Sequence, residues 1–289
     1  MKRKLIITSI IIMTSFLSCK AQILWKVSND RGETSYLFGT FHKAPVSFCS
    51  EIRSFEKAFS ECSQILGEVS YLESNANNLS GLMMMPQGSS LKELYNDEEY
   101  ELILSYFESV SSFRPGKINF SPSGLLLYIT NMLYRQAIPE LSDEEMDFEL
   151  QRLGQKKGKV IRGLVSYEEH MNYLAKLFAK DLSEQAEGLL NYIKLPASNP
   201  DSLRPRLQYF YQAYKSQDLS QIKEYADLFS SMDYGKELLS DRNRLWLPTI
   251  IEAINTKPTF IVIGVGHLVG NEGLIELLRN HGYTMIPMK

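Results

Sequence analysis

The sequence predicts an α/β fold in which a central sheet, formed by the N- and C-terminal segments, is covered by a large helical insertion at about residues 91–255. Three observations predict it. Short apolar runs of strand character cluster toward the two ends, apolar residues in the middle recur every three or four positions, and Pro or Gly punctuates the changes of pattern.

In chain order the strand-like runs are Leu24 to Val27, Ser35 to Gly39, Gln64 to Val69, Lys159 to Leu164, Thr259 to Gly264 and Thr284 to Pro287. Helical spacing joins Ile52, Phe55, Ala58 and Phe59. It returns at Leu94, at Tyr100 through Phe107, at Leu125 through Leu133 and at Tyr173 through Phe178. Breaks fall at Pro115-Gly116, Pro122, Pro139, Gly154, Gly158, Pro196, Pro200 and Pro258. The β-helix-β order from Phe38 to Val69 and again from Thr259 to Pro287 predicts βαβ units, which places both ends of the chain in one sheet.

Lys2, Arg3 and Lys4 precede an uncharged run from Leu5 to Leu17, the order of a secretory signal. The run is too short for a bilayer span, which needs about 20 apolar residues. Phe16-Leu17-Ser18-Cys19 resembles a bacterial lipobox, with Phe16 where the pattern favours Leu, Val or Ile; ordinary cleavage near Ala21 is the alternative. On the lipobox reading, residues 1–18 are a lipoprotein signal peptide and Cys19 carries the lipid. Residues 19–289 then form one domain, anchored in the cell envelope to a bacterial membrane. Losing residues 1–18 takes the formal charge from −3 to −6, and no basic stripe is present, which disfavours nucleic acid as a partner. A continuous helix between Cys49 and Cys62 would hold them about 19 Å apart, beyond disulfide reach. The Met83-Met84-Met85 run reads as apolar filling.

Two segments resemble each other. Tyr36-Leu37-Phe38-Gly39-Thr40-Phe41-His42 and Ile261-Val262-Ile263-Gly264-Val265-Gly266-His267 are each an apolar strand followed by Gly-x-x-His. The glycine permits backbone conformations that a β-carbon resists, and the histidine stands beyond the strand's carboxyl end, where α/β sheets hold ligands. If the strands are parallel, both imidazoles reach one rim. Glu68 is a charge at the end of an apolar strand and needs a partner if buried. Arg242 and Asn243 sit in Asp241-Arg242-Asn243-Arg244-Leu245-Trp246, which on its own reads as a helical surface. His170 and His281 read as ordinary helix residues, the latter at a C-terminus that favours a cation.

Taken in order, Gly39-Thr40-Phe41-His42, the Glu68 strand, Asp241 through Trp246 and Gly264-Val265-Gly266-His267-Leu268-Val269-Gly270 resemble the TraB/GumN family over about Trp25 to Pro287. That family is related to the Tiki proteins, which resemble metal-dependent proteases, and to the fold of erythromycin esterases and ChaN proteins. The chain departs from it at Gly163-Leu164-Val165-Ser166, where Gly-Leu-Glu is frequent, so a carboxylate is expected to be missing at Val165. The resemblance implies a catalytic scaffold without fixing its reaction.

The resulting expectation is a hydrolase, peptidase-like, acting on a peptide or small-molecule substrate. His42, Glu68 and His267 hold one divalent metal ion with a position left for water. Arg242 steadies an oxyanion or, with Asn243, clamps the substrate. A metal-free esterase using a histidine base, and a non-catalytic protein binding peptide, metal or haem, are the alternatives.

Overall fold

The computed structural model describes residues 22–70, 72, 83–178, 181–230 and 235–288. Residues 1–18 and Cys19, where the signal and lipid site are expected, lie outside the described residues. The strands are β1 (Leu24–Ser28), β2 (Thr34–Thr40), β3 (Gln64–Val69), β4 (Val160–Val165), β5 (Thr259–Gly264) and β6 (Thr284–Pro287). They form one six-stranded sheet in the order β4-β3-β5-β2-β1-β6. All six fall on the runs expected from sequence.

The four strands β4, β3, β5 and β2 run parallel, and β1 pairs antiparallel with both β2 and β6. β3 and β5 are buried along their whole length. That burial explains why their sequences are continuous apolar runs rather than alternating ones. The first and last strands of the chain, β1 and β6, are neighbours, so the two ends do share the sheet.

The helices are α1 (Phe55–Glu61), α2 (Asp97–Val110), α3 (Pro122–Ala137), α4 (Met146–Lys156), α5 (Tyr167–Phe178), α6 (Leu182–Lys194), α7 (Pro200–Lys215), α8 (Leu219–Ser230), α9 (Arg242–Thr256) and α10 (Leu274–Asn280). β4 divides the expected insertion into two helical groups, α2 to α4 and α5 to α9. Local sequence fixes several starts: Asn96 and Glu99 form a reciprocal cap on α2, and Ser121 caps α3, which begins with Pro122. Phe38, Phe55, Phe59 and Phe260 pack with ring centroids 5.1–6.0 Å apart. In a second cluster, Phe41 meets Tyr134, Phe210, Tyr211 and Tyr214 at 5.3–6.0 Å. Burying each such ring contributes about 1.5–3 kcal/mol.

Cys49 and Cys62 are buried and unpaired. The segment between them is not one continuous helix: a 3-10 turn at Val46–Glu51 precedes α1. Met85 is buried and Met84 bridges Phe120 in an antiparallel pair. No helix among the described residues is long and apolar enough to cross a membrane.

Candidate functional site

β2 and β5 are adjacent and parallel, with Thr40 opposite Gly264. Both Gly-x-x-His segments therefore leave the sheet at the same carboxyl edge. β3 lies on the far side of β5 and delivers Glu68 to that edge. The glycines serve a different purpose from the one expected. Neither Gly39 nor Gly264 has a positive φ; space is what they provide. A Cβ on Gly39 would meet Leu268 and Val265 at 3.0 Å, and one on Gly264 would stand 3.1 Å from His42 Nε2 and 3.4 Å from Glu68 Oε1. Two of the site's polar atoms thus converge on the bare face of Gly264.

Glu68 is 9% exposed. Its Oε1 accepts the Gly264 N–H at 2.9 Å, and its Oε2 accepts from Arg242 Nη2 at 2.9 Å. Burial pushes this carboxyl up, but the nearby His267 ring, the Arg242 guanidinium, His42 and the Gly264 N–H outweigh it and bring it down to about 2. Glu68 is an anion at neutral pH. Arg242 is the first residue of α9, entered through a π-type turn at Glu237–Asp241. Its guanidinium lies 4.2 Å from the Trp246 ring and 5.7 Å from Tyr173, a cation–π sandwich that fixes its direction toward Glu68.

His267 is 4% exposed, and its state follows from its neighbour. Asn243 donates through Nδ2 to the His267 carbonyl at 3.2 Å and to the Glu272 carbonyl at 2.7 Å, which leaves its Oδ1 as an acceptor facing His267 Nδ1 at 2.8 Å. The proton therefore sits on Nδ1, and Nε2 presents a lone pair. Burial, with Arg242 adding to it, lowers this imidazole to about 4, so it is neutral at pH 7. Its Nε2 stands 3.7 Å from Glu68 Oε1. Two lone-pair atoms, one of them anionic, face each other with no proton between them. Asn243, expected to bind substrate, is itself only 2% exposed and is committed to holding His267.

His42 is held differently. Its Nδ1 is 2.7 Å from Asp147 Oδ2, while Asp147 Oδ1 accepts from Thr40 Oγ1 at 2.9 Å. Asp147 is 3% exposed in the first turn of α4, where the helix dipole favours an anion. Its charge raises the His42 imidazole against the opposing effect of burial. The His42 side chain is 49% exposed, so solvent screens part of this pull without reversing it.

Sequence reasoning missed Asp147. The signal was present in Asp147, Leu150, Gln151 and Gly154, which follow helical spacing and are all buried, so an acid stood on a core-facing stripe. It also missed α5. His170 Nδ1 and Tyr173 OH are buried without a hydrogen-bond partner among the described residues, and burial followed by the Arg242 charge lowers the His170 imidazole. The carboxylate expected to be missing at Val165 is not replaced by its neighbours: Glu168 is exposed and Glu169 accepts from the Ser166 N–H and Oγ. The site's second carboxylate is Asp147. His281 closes α10, its Nδ1 donating to the Leu277 carbonyl at 2.8 Å, far from this chemistry in role.

The donor set fits a divalent ion in kind. Two imidazoles have their Nδ1 atoms held by a carboxylate and an amide, as metal-ligating histidines do, and the facing lone pairs of His267 and Glu68 would be relieved by a cation. No three His, Cys, Asp or Glu groups among the described residues are gathered closely enough to hold one.

The sequence profile of the TraB/PrgY/gumN family matches residues 23–287. A metalloprotease TIKI homolog of Amphimedon queenslandica is 22% identical over 310 residues, an alignment that takes in 91% of this chain. The chain spans 60% of that relative's length. No solved structure matches significantly.

Proposed function

The chain belongs to the TraB/PrgY/gumN family, and from that premise we propose that it is a hydrolase of amide or ester bonds, peptides among them, working with one divalent ion held by His42, Glu68 and His267. The observation that carries the reading is the unprotonated His267 Nε2 facing ionised Glu68 Oε1 at 3.7 Å, on the edge where His42 Nε2 also converges. The resemblance to a metalloprotease homologue supports it. A divalent ion there would polarise a substrate carbonyl and make a water acidic enough to attack near neutral pH.

The remaining tasks fall to the chain itself. Arg242 keeps Glu68 ionised and directed at Gly264. Asn243 fixes the tautomer that leaves His267 Nε2 free. Asp147 holds the Nδ1 proton of His42, so that Nε2 is the atom through which His42 would hold a metal.

The opposed shifts of the two imidazoles favour one second reading, a metal-free hydrolase. In it, protonated His42 is the acid and neutral His267, beside Glu68, is the base.

The full chain, purified in detergent without chelators and analysed for metals beside His42→Ala/His267→Ala, tests the choice. About one divalent ion per chain, lost in the folded double variant, with peptide or ester hydrolysis abolished by chelation, is the expected result. Hydrolysis that survives chelation and shows no metal uptake would overturn metal dependence and select the acid–base pair. A metal-free protein inert toward amides and esters would leave a binding protein. For location, we propose a cell-envelope protein held by a lipid on Cys19, on the strength of the lipobox-like Phe16 to Cys19; Cys19→Ser should release it from membranes, and a membrane-retained variant would refute the anchor.

A further inference from the structure

The space in front of His42 and His267 has a chemistry of its own. A cavity of about 560 Å3 opens there, with both histidines in its lining. Sites of this volume hold small molecules or single groups of larger ones. Its wall is built by Phe41, Leu127, Tyr134, Phe210, Ile222 and Tyr225. The rings brace one another: Phe210 stacks on Tyr225 with centroids 4.0 Å apart, and Phe41 lies 5.7 Å from Phe210.

Several polar groups on this wall are already engaged. Tyr134 and Tyr225 share a hydrogen bond between their hydroxyls at 3.0 Å. Thr130 Oγ1 donates to the Leu126 carbonyl at 2.8 Å, and Asn131 Nδ2 to the Leu127 carbonyl at 3.0 Å. The charges at the mouth are paired, Lys43 with Glu145 at 3.7 Å and Arg135 with Asp143 at 2.8 Å. A carboxylate or ammonium entering the cavity would lose its water and find no unpaired counter-charge on this wall. An apolar group would gain from leaving water.

We propose that this cavity is the acyl-side subsite of the enzyme, taking an uncharged apolar group, aromatic or aliphatic, whose attached carbonyl then lies against His42 and His267. The subsite rests on the hydrolase reading for its meaning, but its ligand preference can be measured without turnover. An aromatic amino-acyl group and a medium-chain fatty acyl group share the required chemistry.

The test titrates the full chain with N-acetylphenylalaninamide, hexanamide and N-acetylaspartate amide by ligand-observed NMR, and then follows hydrolysis of the corresponding p-nitrophenyl esters. At least one apolar amide should bind tenfold or more tightly than the aspartate derivative. The preference between phenylalanyl and hexanoyl probes tells the two sources apart. Leu127→Asp should lose that tenfold advantage; if it does not fold, Asn131→Asp, at an exposed position on the cavity mouth, should reduce it. Apolar binding with no ester hydrolysed sustains the subsite and refutes the hydrolase reading. Hydrolysis with no apolar preference, or binding unaffected in folded variants, overturns the subsite and leaves the hydrolase reading standing. Absence of binding by every probe also overturns it.

Discussion

Each histidine of the site is controlled by one buried residue, and the two controllers differ in charge. Asp147 makes His42 a stronger base, whereas Asn243 offers His267 only a neutral acceptor and leaves burial to keep it unprotonated. Asp147→Asn should lower the His42 imidazole toward its ordinary value near 6.5. NMR titration of the ring would show it; an unchanged midpoint would mean that Asp147 does not set the charge of His42. Asn243→Ala removes an acceptor from His267 and a donor from two carbonyls in a buried network, and should cost about 2–4 kcal/mol in urea unfolding. A loss below about 0.5 kcal/mol would show that water replaces the amide. Neither controller was legible as such. Asn243 stood in a stretch that resembles an exposed helix, and Asp147 stood in an acid-rich run where one more carboxylate attracts no notice. What distinguishes them is the direction each faces, which depends on contacts across more than a hundred residues for His42 and Asp147 and 24 for His267 and Asn243.

The elements tell a different story, because strand identity is written locally. Each of the six strands is a short apolar or alternating run closed by a polar residue, Gly or Pro, and each was placed from that pattern alone. The paired histidines were legible for the same reason: a repeated strand-Gly-x-x-His implies two equivalent strand ends, and parallel pairing of β2 with β5 makes them one edge. The order of strands was less so. That β3 lies beyond β5, and so brings Glu68 against Gly264, follows from long-range packing. The role of Gly264 tests this arrangement. Its φ of −55° suits alanine, yet a methyl there would press on His42 Nε2 and Glu68 Oε1. Gly264→Ala should therefore fold with a melting temperature within a few degrees of the wild type and lose at least tenfold in hydrolysis or metal affinity. Full activity in this variant would show that the face of Gly264 is not where these groups act.

For the molecule as a whole, the two imidazoles set opposing limits on stability. A folded His267 lowered to about 4 stays neutral where the unfolded ring, near 6.5, takes up a proton. Between those values the unfolded chain binds more protons, so stability is complete above about pH 6.5 and is lost as the pH falls toward 4, on the order of 3 kcal/mol in all. Glu68, lowered from 4.5 to about 2, extends the same loss to still lower pH. His42 acts in the other direction. Its folded value is raised to about 10, so its contribution is complete below about pH 6.5 and is lost as the pH rises through the folded value. Because its side chain is half exposed, this alkaline limb should be the shallower. Chelator-treated protein should then show greatest resistance to urea near pH 6.5. Asp147→Asn should flatten the alkaline limb alone, and His267→Gln the acid limb alone. A wild-type optimum several pH units away, or limbs unmoved by their respective variants, would mean that groups outside this edge of the sheet govern the stability of the fold.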